Sequence, residues 1–181
     1  MIRLGSNSPT RAKILTKYNI DFIQNGGTFD EDSIITTNPK SFVHQATLGK
    51  YNELIKKYTC EDMPLLVADS VVTSKGELLR KAKNEKDAKR MLKLQSGSET
   101  SVITCMIYKS KTKELIDISI TTYKFSKFEE EDILKYIKSG ECFGKAGAIM
   151  VEGFCKPYIK SVQGYESTAM GLCVEKLKVF I

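Results

Sequence analysis

Leu65-Leu66-Val67-Ala68-Asp69-Ser70-Val71-Val72-Thr73 is the stretch on which the fold reading turns. Its β-branched and aliphatic side chains specify a strand, broken by a single acid. A carboxylate among apolar neighbours is costly unless it is paired, hydrogen-bonded or bound to a metal. Asp69 is therefore expected to point into a polar cleft. A carboxylate tying down a neighbouring turn is the competing account.

Upstream, Met1–Gly5 is a short, mostly apolar run that leads at once into Ser6-Asn7-Ser8-Pro9. Ser8 suits an N-cap and Pro9 the first helical position, so a helix is expected there, with Ala12, Ile14, Leu15 and Tyr18 facing inward. Asn38-Pro39 repeats the signal, and Tyr51, Leu54, Ile55 and Tyr58 follow at helical spacing behind Val43 and Leu48. Downstream, Asn84 caps a helix with Ala88, Met91 and Leu92 on its inner face. Ser101–Tyr108 and Leu115–Phe125 read as paired long strands. Glu129–Lys138 reads as a helix with acids in its first turn and Gly140 past its end. Strands are expected at Ala148–Val151 and Tyr158–Val162, and a helix from Ser167 to Lys178. The class is α/β with some antiparallel pairing, and no linker or repeat divides residues 1–181, so one domain is expected.

Composition narrows the function. The chain has 181 residues and a formal net charge of +6. The basic excess is even, 8 basic against 5 acidic in residues 1–60, 9 against 7 in 61–110 and 11 against 10 in 111–181. Nucleic-acid binders concentrate Lys and Arg on one stripe with aromatics between them, so that class is disfavoured. The densest run, RKAKNEKDAKRMLK at residues 80–93, mixes in acids and reads as a solvated helix face. No apolar run approaches the ~18–20 residues of a membrane span, and the N-terminus lacks a signal-peptide core. A soluble, cytoplasmic protein is expected. Cys60, Cys105, Cys142, Cys155 and Cys173 form no C-x-x-C pair and read as reduced, buried thiols. His44 is the single histidine. Chemistry should therefore rest on carboxylates, lysines and a metal ion.

Three constellations carry that chemistry. Ser6-x-Ser8-x-x-Arg11 lies where a strand meets a helix N-terminus; its backbone N–H groups, hydroxyls and planar guanidinium suit a phosphate. An ordinary cap followed by a surface arginine is the alternative. Asp69 is the second. The third combines Lys50, Lys81 and Lys145 with Asp30 and Glu31. Singly each lysine is an exposed charge, whereas together acids and cations suit a metal–polyphosphate site.

With these strings in view, the chain resembles the Maf family of nucleoside triphosphate pyrophosphatases over nearly its whole length. Ser6-Asn7-Ser8-Pro9-Thr10-Arg11 is similar to the family's S-x-S-P-R-R turn, Phe29-Asp30-Glu31 to V-D-E, and Ala68-Asp69-Ser70-Val71-Val72 to A-D-T-V-V. Leu79-Arg80-Lys81-Ala82 resembles a worn L-G-K-P, Gly144-Lys145-Ala146-Gly147-Ala148 resembles D-K-A-G-A-Y, and Val151-Glu152-Gly153 stands at I-Q-G. Gln163-Gly164-Tyr165 and Met170-Gly171-Leu172 echo the closing motif, with Tyr165 one place early. The resemblance implies an elongated mixed β-sheet flanked by helices, two lobes around a central cleft in a Maf/ITPase-like arrangement. It implies hydrolysis of a nucleoside triphosphate to the monophosphate and pyrophosphate with a divalent cation, Mg²⁺ or Mn²⁺. It makes Asp69 the catalytic carboxylate, as water activator or metal ligand, with Glu31 a second acid near the metal. Ser6, Ser8, Arg11, Lys50, Lys81 and Lys145 become phosphate contacts.

Departures fall at Thr10, Ser70 and Glu152, which replace the arginine, threonine and glutamine that accompany dTTP and UTP in the pyrimidine-preferring members. Glutamate at this position resembles the members that prefer methylated GTP, and an ionised carboxylate only accepts hydrogen bonds. A guanine-type base is the resulting expectation. The loss of Gly and Pro around Lys81, and Gly144 in place of an acid, are expected to weaken turnover. The rival from another class is a nucleotide-sensing regulator that restrains cell division through a partner. A homodimer fits the analogy, although the sequence displays no exposed apolar stripe that argues for one.

Overall fold

Three helix starts obey the same local chemistry. The Ser8 hydroxyl accepts from Arg11 N at 3.4 Å, the Asn38 carboxamide oxygen from Ser41 N at 3.0 Å, and that of Asn84 from Asp87 N at 2.9 Å. Each relieves a backbone N–H that the first turn leaves unpaired. The structure, a computed structural model, describes residues 1–61 and 63–181. The chain runs β1 (Ile2–Leu4), α1 (Pro9–Lys17), β2 (Phe22–Gln24), α2 (Pro39–Ile55), β3 (Leu65–Ser74), β4 (Glu77–Leu79), α3 (Glu85–Gln95), β5 (Glu99–Lys109), β6 (Glu114–Phe125), α4 (Glu130–Ser139), β7 (Ile159–Gln163), α5 (Glu166–Ala169) and α6 (Val174–Leu177).

One mixed seven-stranded sheet carries the fold, in the order β2-β1-β3-β5-β6-β7 with β4 beside β3. β1 is parallel to β2 and β3, and the pairs from β3 through β5 and β6 to β7 are antiparallel. Along its outer edge β3 meets β1 only at Leu65 and Leu66, and β4 only from Val72 to Ser74. Val67–Val71 therefore pairs with β5 alone, which leaves a slot in the sheet. Strand alternation then sends Asp69 to one face and Ser70 to the other, both beside that slot.

The core divides around it. Ile2, Leu4, Ile14, Leu15, Leu172 and Leu177 pack under α1 and α6. Leu79, Leu92, Phe125, Ile133 and Tyr158 pack between the far half of the sheet, α3 and α4. On the opposite face α2 covers Val71, Ile103 and Cys105 with Phe42, Val43 and Ala46. No helix among the described residues is long and apolar enough to cross a membrane. Cys105, Cys142, Cys155 and Cys173 are buried free thiols, and Cys60 is half-buried.

The structure departs from the sequence reading in two segments. Ala148–Val151 forms tight turns rather than a strand: Ala148 has φ 57°, and Met150 O accepts from both Gly153 N and Cys155 N. The expected helix from Ser167 to Lys178 is two short helices, because Gly171 takes φ 105° and breaks the first. β2 and β4, three residues each, fall below what alternation can signal. At the β6–β7 end of the sheet Ile116, Ile120 and Val162 are exposed.

Gly147 shows how tightly the loop after α4 is set on β3. It takes φ 63°, and a Cβ there would stand 2.7 Å from Val72 Cβ. Gln95 Nε2 donates to Gly147 O at 2.7 Å from inside α3. Gly147→Ala is expected to lower stability by about 2–4 kcal/mol in urea unfolding, from left-handed strain plus overpacking. An unchanged midpoint would contradict this account.

Candidate functional site

The slot beside β3 opens into a cleft of about 610 Å³. Ser6, Ser8, Thr10, Arg11, Glu31, Lys50, Asp69, Ser70, Lys81, Lys145 and Glu152 all line it. Four cations face three carboxylates there. Asp30 does not line it; its carboxylate accepts from Asp32 N at 2.9 Å and caps the turn that presents Glu31. His44 on α2 also lies outside the lining, so no histidine serves this cleft.

Asp69 is 4% exposed. Its Oδ1 accepts from Lys50 Nζ at 2.5 Å, whereas Oδ2 is buried and has no partner. A buried acceptor left unmatched costs about 1–3 kcal/mol, so this oxygen is an open valence held ready for a donor or a cation. Lys50 reaches Asp69 from α2, and the same ammonium donates to Glu31 Oε1 at 2.6 Å. Lys81 adds a longer pair to Glu31 at 3.3 Å. Burial alone would raise the Glu31 carboxyl; Lys50 first, then Lys81, outweigh it and hold the group below its ordinary value.

On the other face Arg11 is fixed rather than displayed. It is 9% exposed; Nε donates to Gly171 O at 2.8 Å, Nη1 to Ser6 Oγ at 2.9 Å and Nη2 to Ser70 Oγ at 3.3 Å. The surface-arginine alternative is thereby corrected. Burial works against the charged guanidinium and lowers its pKa, and the Asp69 and Glu31 carboxylates oppose that effect. Three of the five guanidinium N–H groups are engaged, which leaves two for a ligand. Ser6 Oγ accepts from both Arg11 Nη1 and Ser8 N, so its own proton is free to be donated. Gln24 Nε2, donating to Ser6 O at 2.7 Å, braces the same turn from β2.

The worn motif around Lys81 still places that lysine at the cleft. Lys81 bridges to Ala146 across an isolated antiparallel pair, and Gly147 N donates to Arg80 O at 2.9 Å. The two lysine-bearing loops are thus tied together, with Lys145 beside them and without an ion pair among the described residues. Sequence reasoning missed Phe143, Ile149, Met150 and Val102 as lining residues, and the Gly171 carbonyl as an arginine acceptor. Apolar side chains that face a cleft carry the same local pattern as core residues, so nothing in the string marks them.

Hard divalent cations take carboxylate oxygens and complete their shell with water and phosphate. The unmatched Oδ2 of Asp69 and the neighbouring Glu31 fit that demand. No cluster of three or more His, Cys, Asp or Glu residues suited to a metal occurs among the described residues. The donor set therefore suits a cation shared with a phosphate ligand, not one caged by protein alone.

Comparison with known proteins settles the lineage. A family profile described as "Maf-like protein" matches residues 1–181. The chain belongs to this family. A nucleoside triphosphate pyrophosphatase of a Nitratiruptor species is 52% identical over 179 residues, covering 98% of this chain and 96% of that protein. One from Helicobacter pylori (strain J99) is 41% identical over 174 residues, covering 96% of this chain and 91% of that protein. One from Campylobacter jejuni subsp. doylei is 33% identical, with both chains covered in full. In this Maf-like chain the slot in the sheet joins the family's motifs, dispersed over more than 140 positions, into one site.

The Glu31 ion pairs set a pH dependence. Its folded pKa lies below the ordinary value of 4.5, so these pairs stabilise above that value and are lost as pH falls through the folded one. The stability difference between the wild type and Glu31→Gln, from urea unfolding, is expected to be largest near about pH 7 and to shrink by about pH 3. A constant difference over that range would refute the charge pairing.

Proposed function

We propose that the protein is a nucleoside triphosphate pyrophosphatase, hydrolysing its substrate to the monophosphate and pyrophosphate. The observation that carries this reading is Asp69, buried with one unmatched oxygen in a cleft ringed by Arg11, Lys50, Lys81 and Lys145. The names of the Nitratiruptor and Helicobacter relatives support it. In the reaction a water oxygen bonds to the α-phosphorus, the bond to the bridging oxygen of the β-phosphate breaks, and pyrophosphate leaves with that electron pair.

Each side chain has a part in that scheme. Asp69 Oδ2 orients the attacking water and accepts its proton, and with Glu31 it would also be placed to hold a divalent cation that polarises that water. Ser6 donates its free proton, Ser8 its hydroxyl, and Arg11 its two remaining N–H groups to phosphate oxygens. Lys50, Lys81 and Lys145 stabilise the negative charge that gathers on the leaving pyrophosphate, where fixed charges act most strongly. A divalent cation, Mg²⁺ or Mn²⁺, would be held by Glu31 and Asp69 and would neutralise phosphate charge and polarise water.

Base choice is assigned to Thr10, Ser70 and Glu152. Ser70 and Glu152 line the cleft beside Met150, Val151 and Phe143, apolar surface on which a base can rest. An ionised Glu152 offers acceptors only, which suits the N1–H and exocyclic amine of a guanine-type base.

Two measurements test the proposal. Asp69→Asn is expected to reduce pyrophosphate release by about 10²-fold or more, the scale of a lost general base. Retained turnover would remove Asp69 from the chemistry, and tight nucleotide binding without turnover in the wild type would instead favour a sensor acting through a partner. Across a nucleotide panel, guanine-type triphosphates are expected to lead, with Glu152→Gln moving preference toward dTTP and UTP. A wild-type preference for dTTP or UTP would reject the base assignment.

A further inference from the structure

The hydrogen bonds around Arg11 close into a ring, and two of its members, Thr104 and Thr168, do not line the cleft. Thr104, on β5 directly opposite Ser70 in the ladder, is 1% exposed. Its hydroxyl lies 2.8 Å from Ser70 Oγ and 2.8 Å from Thr168 O. A backbone carbonyl only accepts, so the single Thr104 proton goes to Thr168 O. The Ser70 proton must then go to Thr104 Oγ1, which turns a Ser70 lone pair toward Arg11 Nη2. Gly171 N also donates to Thr168 O, at 3.0 Å, and Gly171 O accepts from Arg11 Nε. The one bond in the ring whose direction chemistry leaves open, between Ser70 and Thr104, is thus set by the Thr104 proton's commitment to Thr168 O.

We propose that Thr104 is a positioning residue for the phosphate-binding arginine, acting through Ser70 and never touching the substrate. A serine hydroxyl beside a guanidinium can rotate, and only an acceptor behind it keeps its lone pair aimed forward. Thr104 is that acceptor. Its own proton joins β5 to the Thr168–Gly171 segment that holds the opposite side of Arg11. The arginine is therefore oriented from two directions before any ligand arrives, which reduces the ordering that binding must supply. The phosphate role of Arg11 rests on the function proposed above; the orienting role of Thr104 rests on the ring alone.

Tripolyphosphate affinity, measured by calorimetry without turnover, separates the two. Thr104→Val keeps the shape and removes the acceptor; it is expected to weaken tripolyphosphate binding about tenfold, the scale of one charge-assisted hydrogen bond. Thr104→Ser restores the hydroxyl and is expected to return binding to within about threefold of wild type. In an Arg11→Lys background, Thr104→Val is expected to add no further loss, since a residue acting through Arg11 has nothing left to orient. If Thr104→Val does not fold, Thr104→Ala takes its place with the same expectation. Wild-type affinity in the valine variant, no recovery in the serine variant, an additive loss in the Arg11→Lys background, or no tripolyphosphate binding by the wild type would each overturn the proposal. Failure of the wild type to hydrolyse any nucleoside triphosphate, with these binding differences intact, would overturn the pyrophosphatase reading alone.

Discussion

The slot along β3 is the constraint from which the rest follows. A central strand paired on both sides would turn Asp69 and Ser70 to opposite faces of a closed sheet, beyond the reach of a shared ligand. Here β1 leaves β3 after Leu66 and β4 joins it only at Val72, so five residues have a neighbour on one side only. Both faces of the strand then open into one cleft. The turn at Gly5–Ser8 forms one wall and the paired Lys81 and Lys145 loops form the other. An exposed strand edge is a liability unless something covers it, and a bound nucleotide held by these walls would cover this one.

Charge is distributed across that slot in a way that neither face could manage alone. The Asp69 face holds a lysine between two carboxylates, an arrangement that pairs one oxygen of a buried acid and leaves the second without a partner. The Ser70 face holds a guanidinium whose desolvation is offset by three neutral acceptors and by the same carboxylates across the strand. Each face therefore lowers the electrostatic cost of the other. This mutual dependence explains why cations and acids gather here although the chain's surplus charge is spread evenly along its length.

The local half of the structure was legible in the sequence. Ser8-Pro9, Asn38-Pro39 and Asn84 announce their helices because capping is decided within four residues, and the long strands flanking Asp69 declare themselves by composition. What stayed hidden depends on contacts distant in sequence. Ile149, Met150 and Val151 have strand-like composition, yet Gly147 pressed against Val72 forces a left-handed turn ahead of them and redirects them to the cleft. Gly171 interrupts a helical pattern because its carbonyl is committed to an arginine 160 residues away. The motif positions were readable one by one; that Arg11 is clamped and Asp30 is only a cap required the fold.

The base preference proposed above is a matter of hydrogen-bond polarity at the rim of the cleft. Donor accounting leaves Ser70 with no proton to offer the cleft, because Thr104 has taken it, and Glu152 as a carboxylate has none either. Thr10 removes the cationic donor that an arginine would place at the same rim. Of the three departures, Thr10 and Glu152 shift the rim away from cationic and amide donors, whereas Ser70 keeps the hydroxyl of the threonine it replaces and turns its lone pair to Arg11. A pyrimidine edge such as that of uracil or thymine, with acceptors on both sides of its single N–H, meets such a site poorly. A purine edge with adjacent donors meets it well, so the selectivity proposed for this chain rests on Glu152 and on the loss of an arginine at position 10, not on the Ser70 hydroxyl.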